Sequence, residues 1–231
     1  MSKAYCLAIN TALDPFSYAL YDGDKLVFEV KQNSSREFTE QLIYHIDASL
    51  KAQRLSFSDL SAVSLIVGPG SYTGIRVGFS VAKSIALVQN IPLYTRTSLQ
   101  CLAEQSPSPG NLKVIIIPAR KQEITLQVFS ESAQEQSEPI AMTTDAFSAF
   151  AKAFEQAVLI QGQCPDTFKA CLTENPLLSY SNTSISSHYL AKFGFEKLTS
   201  GCPSDYQQAK PFYLYEPVIG SIKKKKSRIK G

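Results

Sequence analysis

The sequence predicts an α/β protein of two lobes. Three observations carry this reading: a hairpin-rich N-terminal stretch that gives way to helical periodicity, a Ser/Pro/Gly-rich break near residue 106, and a fainter repeat of the same alternation beyond it. The 231 residues, 44% of them hydrophobic, are enough to bury one good core or two smaller ones. Boundaries are expected at 1–105 for the first lobe, 106–222 for the second and 223–231 for a basic tail.

Taken in order, residues 5–10 form a short apolar run, and 16–21 and 25–30 flank Asp22-Gly23-Asp24, whose turn chemistry predicts strand, hairpin and strand. Ser34 with Glu37 three residues on fits a capping box, after which Phe38, Leu42, Ile43, Ile46 and Leu50 recur on one helical face. A single helix over 36–51 is expected. Residues 62–67 are continuously apolar, as in a strand buried on both faces, and end at Gly68-Pro69-Gly70. From Tyr72 to about Gln89 the period is helical again, with Gly74, Gly78, Ala82 and Ala86 on one row. A strand at 93–97, a helix capped by Ser98 and the linker Ser106-Pro107-Ser108-Pro109-Gly110 follow. The second unit reads as strands at 113–117, 124–130 and 158–161, with helices at 145–156, 165–172 and 187–195.

Composition removes several function classes. No apolar run approaches the roughly 20 residues of a membrane helix, and residues 1–10 lack an export signal, so a cytoplasmic protein is expected. Cys6, Cys101, Cys164, Cys171 and Cys202 form no CxxC pair and read as reduced thiols. His45 and His188, the only histidines, sit in no ligand spacing, so no metal site is expected. No serine lies in GxSxG, and no catalytic residue is assigned. The net charge of +3 includes Lys223, Lys224, Lys225, Lys226, Arg228 and Lys230, so the rest carries −3. The body has no basic character for nucleic acid, while the tail could touch phosphates of a tRNA non-specifically. Tyr206, Phe212, Tyr213 and Tyr215 could stack on bases, but burial against the lobes is the simpler role.

Gly68-Pro69-Gly70-Ser71-Tyr72-Thr73-Gly74-Ile75-Arg76-Val77-Gly78 stands between strand and helix. By physics alone it is a glycine-rich turn in which Gly68, Gly70, Ser71, Thr73 and Gly74 could offer N–H groups to an anion, or simply a tight turn packed by Gly78. It is neither a Walker loop nor a dinucleotide fingerprint. As a whole string, however, it resembles the signature GPGS-[FY]-TG-[IL]-R-[IV]-G of the TsaB (YeaZ) family. The likeness extends through Ser58-Asp59-Leu60, Ile91-Pro92-Leu93 and Ser98-Leu99. It thins in the second half, where Pro118-Ala119-Arg120-Lys121-Gln122-Glu123 resembles a diverged DARRGE-type segment and Pro211-Phe212-Tyr213-Leu214 the closing P-x-Y-L/V-R stretch.

The resemblance implies an actin-like, ribonuclease H-like fold of two related lobes and a homodimer when alone. It implies a heterodimer with the larger paralogue TsaD, which carries the metal and transfers threonylcarbamoyl from an adenylate to the adenosine beside the anticodon of tRNAs reading ANN codons. The ATPase TsaE joins the assembly. This chain would be the non-catalytic activating partner, without a cofactor of its own, although a nucleotide at the partner interface is compatible. The family's dimer helices map to 36–51 and 72–89, which makes Phe38, Leu42, Tyr72, Gly74, Arg76, Gly78, Ala82 and Ala86 candidate partner contacts. The small-residue row suits packing on the chain's own sheet equally well.

The chain also departs from the family. Asn10 stands where relatives place an acid, and an amide supplies no carboxylate for a hydrated magnesium; Pro118 likewise replaces the second lobe's acid. Asp14 and Asp22 lie nearby, but read as a loop start and a turn residue. The competing reading, an actin-like ATPase or phosphotransferase with a divergent phosphate loop, is weakest at these two positions.

Overall fold

The computed structural model describes residues 4–106, 112–120 and 122–215, and holds two five-stranded mixed sheets. In the first, β1 (Tyr5–Asn10), β2 (Phe16–Tyr21) and β3 (Leu26–Gln32) form an antiparallel meander. Strands β4 (Leu60–Ile66) and β5 (Leu93–Arg96) then add in parallel on the other side of β1, giving the order β3-β2-β1-β4-β5. The second sheet repeats the scheme. Strands β6 (Leu112–Pro118), β7 (Ile124–Phe129) and β8 (Ile140–Met142) are antiparallel, and β9 (Val158–Gly162) and β10 (Leu178–Asn182) follow in parallel, in the order β10-β9-β6-β7-β8. Strands β8 and β10 are additions to the sequence expectation: β8 has only three residues, and β10, Leu-Ser-Tyr-Ser-Asn, lies on an edge with no apolar run to announce it.

The turn chemistry at Asp22 is realised, its Oδ1 accepting from the N–H of Asp24 at 3.1 Å and of Lys25 at 3.0 Å. The helix expected over 36–51 is two, α1 (Arg36–Glu40) and α2 (Leu42–Ala52), because Gln41 leaves helical geometry at φ −106° and ψ 9°. Phe38, Leu42, Ile46 and Leu50 are buried together, while Ile43 stands at 44% exposure. The cap is Ser35, whose hydroxyl accepts from the Phe38 N–H at 3.1 Å, and not Ser34, whose own N–H is held by the Asp14 carboxylate. Helix α3 (Tyr72–Gln89) has the expected bounds and stops at Asn90, in left-handed geometry at φ 53°.

Two helices cross between the lobes. Helix α4 (Ser98–Glu104), encoded with the first lobe, packs on β6, β7 and β9 of the second sheet. Helix α7 (Ser187–Thr199), encoded with the second, packs on β1, β2 and β4 of the first. Ser17 and Ser187 share a hydroxyl contact at 2.6 Å, and the Ser64 hydroxyl donates to the Leu190 carbonyl at 2.8 Å. The expected second lobe of 106–222 is therefore shorter: from 187 onward the chain returns to the first lobe, where the apolar side of α7 finds Cys6, Ala8 and Ile66 to cover. The linker residues 107–110 and the tail 223–231 lie outside the described residues.

One buried cluster, including Leu99, Leu102, Ile115, Ile117, Leu190 and Phe193, fills the space between the sheets. A second packs the outer face of the first sheet under α1, α2 and α3. The third packs the second sheet under α5 (Thr144–Lys152) and α6 (Asp166–Leu172). Among the described residues no helix is long and apolar enough to cross a membrane.

Candidate functional site: the cleft between the lobes

Where the β4–α3 loop of the first lobe faces the β6–β7 turn of the second there is a cleft of about 400 Å³. Its walls are Pro69, Gly70 and Tyr72 on one side and Ile117, Pro118, Arg120 and Thr125 on the other, with Tyr213 and Tyr215 across one edge. The sequence reading had singled out both facing segments, and the fold brings them together.

The first-lobe loop is wired into its surroundings. The Ser71 N–H donates to the Ala12 carbonyl at 2.7 Å, and the Ser71 hydroxyl caps α3 by accepting from the Gly74 N–H at 3.2 Å. The Gly68 carbonyl accepts from the Ser98 N–H and the Pro69 carbonyl from the Ser98 hydroxyl, each at 2.7 Å. Of the five residues expected to offer an anion their N–H groups, Ser71 and Gly74 have therefore committed them internally. Their role here is the tight turn and the cap.

Asn10, wholly buried at the end of β1, organises the neighbouring turn. Its Oδ1 accepts from the N–H groups of Ala12 and Leu13 at 3.2 and 3.3 Å, and its Nδ2 donates to the carbonyls of Leu13 and Pro15 at 3.1 and 3.2 Å. The amide uses both its donor and its acceptor ends, which a carboxylate could not do. Pro118 is the exposed last residue of β6 and brings no charge to the cleft. Among the described residues there is no group of three or more His, Cys, Asp or Glu side chains able to hold a metal ion. His45 stacks on Phe38 at 5.3 Å and His188 lies near Tyr21 at 5.8 Å, neither of them lining the cleft.

Thr11, which the sequence reading passed over, is the key of this region. Its hydroxyl donates to the Gly74 carbonyl at 2.7 Å, and its backbone lies in the groove that Gly74 and Gly78 leave on α3. The row Gly74, Gly78, Ala82 and Ala86 is thus buried against the chain's own first lobe, as are Phe38 and Leu42. Six of the eight candidate partner contacts are in this way withdrawn from the surface, because a small-residue row that lets a neighbour approach is filled here by the β1–β2 turn and β4. Tyr72 and Arg76 remain exposed, the Arg76 guanidinium donating to the Tyr72 hydroxyl at 3.3 Å. The large apolar side chains that α2 and α3 do present to solvent are Ile43, Tyr44, Leu87 and Val88.

The cysteines pair with no other cysteine among the described residues. Burial pushes Cys6 up to about 12, and all five cysteines are free.

Two lobes of equivalent strand order, exchanging one helix each and facing one another across a cleft, define an actin-like α/β protein. The model of the family described as TsaD, tRNA N6-adenosine threonylcarbamoyltransferase, matches residues 30–205, so the chain belongs to that family, and within it stands with the TsaB (YeaZ) proteins. It is similar to the tRNA threonylcarbamoyladenosine biosynthesis protein TsaB of Buchnera aphidicola subsp. Schizaphis graminum, 31% identical over 48% of this chain and 52% of that protein. The protein of the same description in Escherichia coli K12 is 32% identical over 42% of each. The matched part thus spans about half the length of these curated relatives. A Pseudomonas aeruginosa protein described as similar to the peptidase YeaZ superposes with a TM-score of 0.73 over 92% of this chain and 100% of its own, at 17% identity, a likeness of fold.

Proposed function

We propose that this chain is a non-catalytic partner in the formation of threonylcarbamoyladenosine beside the anticodon of tRNA, where it binds and activates a TsaD threonylcarbamoyltransferase in the cytoplasm. The observation that carries the reading is Asn10. In a chain whose relatives are named for this modification, the residue that ends β1 is a wholly buried amide whose donors and acceptors are spent on a turn. No cofactor of its own is needed, and chemistry belongs to the partner. The test is threonylcarbamoyl transfer to tRNA in a reconstituted mixture of a threonylcarbamoyl-adenylate synthase, a TsaD homologue and a TsaE homologue, with and without this chain. Product is expected only when the chain is added, and none from the chain alone; unchanged product, or ATP hydrolysis by the isolated chain at enzymatic rates, overturns the reading in favour of an actin-like ATPase.

The same proposal gives the chain a docking face on α2 and α3, used for a homodimer when alone and for TsaD in the complex. Tyr44 at 66%, Leu87 at 65% and Val88 at 76% exposure are the large apolar groups that these helices leave most open. The double variant Tyr44→Glu with Val88→Glu is expected to fold with unchanged thermal stability, since exposed positions tolerate such changes to within about 0.5 kcal/mol. Sedimentation should show the dimer weakened by at least about tenfold, with transfer activity reduced in step. A variant that dimerises and activates as the parent does would place the contact elsewhere.

A further inference from the structure

We propose that residues 211–215 form a latch across the interlobe cleft, so that the opening of the cleft is set by the chain's own C-terminal segment. After α7 the chain runs back along the edge of the first sheet. There the Asp205 carboxylate accepts from the Thr95 N–H at 2.7 Å and from its hydroxyl at 2.9 Å. The Phe212 N–H then donates to the Val67 carbonyl at 2.8 Å, continuing the end of β4. The Phe212 carbonyl lies so close over Gly68, which sits at φ +114°, that a Cβ there would stand 2.3 Å from it. Tyr213 packs on Tyr72 with ring centroids 4.8 Å apart.

To this point every contact is with the first lobe, and Tyr215 makes the crossing. The Arg120 guanidinium lies 4.0 Å from its ring centroid and the Glu123 carboxylate accepts its hydroxyl, so both ends of the β6–β7 turn are held by one side chain. Burial, then the hydrogen bond to Glu123, push the Tyr215 phenol up to about 12, so the hydroxyl remains a donor throughout the physiological range. Tyr213, Leu214 and Tyr215 line the cleft, and to release Tyr215 is to free the second-lobe turn from the first-lobe loop along that edge. The inference rests on these contacts and is independent of the functional reading above.

Amide hydrogen exchange on the full chain tests it. With Tyr215→Ala, the amides of residues 119–124 are expected to exchange about tenfold faster, while β1, β4 and β9 keep the parent's rates. Tyr215→Phe retains the ring on Arg120 and loses only the hydrogen bond, and should give a smaller change at the same residues. The latch is overturned if Tyr215→Ala leaves the turn at the parent's rate, or if exchange quickens uniformly through both sheets, which marks general loss of stability.

Discussion

Gly74→Ala is expected to lower the midpoint of thermal unfolding by about 4–8 °C, although alanine is the better helix former. In the middle of a helix the change should stabilise by up to about 1 kcal/mol through backbone entropy alone. At Gly74 the new Cβ would stand 1.9 Å from the Thr11 carbonyl oxygen and 3.0 Å from the Phe16 ring. Backbone cannot yield there cheaply, because Thr11 lies between β1 and the loop that Ser71 ties to Ala12. A misfit of this kind costs about 3 kcal/mol, leaving a net loss of about 2, and each kcal/mol moves the midpoint by about 2–4 °C in a chain of this size. Gly78 gives the control. A Cβ there meets the Thr11 side-chain oxygen at 2.2 Å, so Gly78→Ala should also destabilise, and Thr11→Ala in the same molecule should recover part of the loss. Thr11→Ala should not rescue Gly74→Ala, whose clash is with backbone. Calorimetry on the four variants decides it: a Gly74→Ala protein more stable than its parent would mean that the row is not filled by the β1–β2 turn.

That contrast shows where sequence reading reaches and where it ends. Helix α3 was legible from the 3.6-residue period of its interior, which placed it from Tyr72 to about Gln89; its cap at Ser71 and its stop at Asn90 came only with the structure. The hairpin of β2 and β3 was legible from Asp22-Gly23, and the strand before the loop from its unbroken apolar run. Helical periodicity set Ile43 on one face with Phe38, Leu42, Ile46 and Leu50; the structure leaves Ile43 at 44% exposure and breaks the helix at Gln41, which no local signal marked. Nor could local rules show the exchange of α4 and α7 between lobes; that of α7 depends on contacts 126 and 170 residues apart, Ser64 with Leu190 and Ser17 with Ser187. Of the cleft, the glycine loop and the 118–123 turn were both visible as segments, but their juxtaposition was not. Thr11 carried no signal, since a threonine after a strand is ordinary until Gly74 and Gly78 are seen on either side of it. Tyr215 was visible only as an aromatic residue ahead of a basic tail; its partners Arg120 and Glu123 lie about ninety residues earlier.

Asn10→Asp, which would set a carboxylate at the end of β1, is expected to destabilise this chain by about 3 kcal/mol or more at neutral pH. The change is isosteric, so packing is not at issue. What changes is the pair of donors on Nδ2, now directed at the Leu13 and Pro15 carbonyls at 3.1 and 3.2 Å; a carboxylate would set an oxygen against each of those oxygens in a site with no solvent exposure. Leaving buried polar groups without partners costs roughly 1–3 kcal/mol each, and a buried charge adds to it. The two N–H groups of Ala12 and Leu13 would still donate to the other oxygen and offset part of this. The pH dependence follows. Burial and the facing carbonyls favour the protonated carboxyl, so its pKa in the folded chain lies above the unfolded value of about 3.9. A group raised in the folded state holds its stability at low pH and loses it as pH rises through the folded value, so the deficit against the parent should be small near pH 4 and grow toward pH 8. Thermal unfolding of both proteins across that range reads the sign directly. A deficit independent of pH would locate the damage in the turn's geometry, and a variant as stable as its parent at pH 8 would show the site ready to accept an acid. If the expected deficit is found, Asn10 is a residue to which the rest of the turn has been fitted, and an added carboxylate would weaken the fold at the position where an actin-like ATPase needs it to be firm.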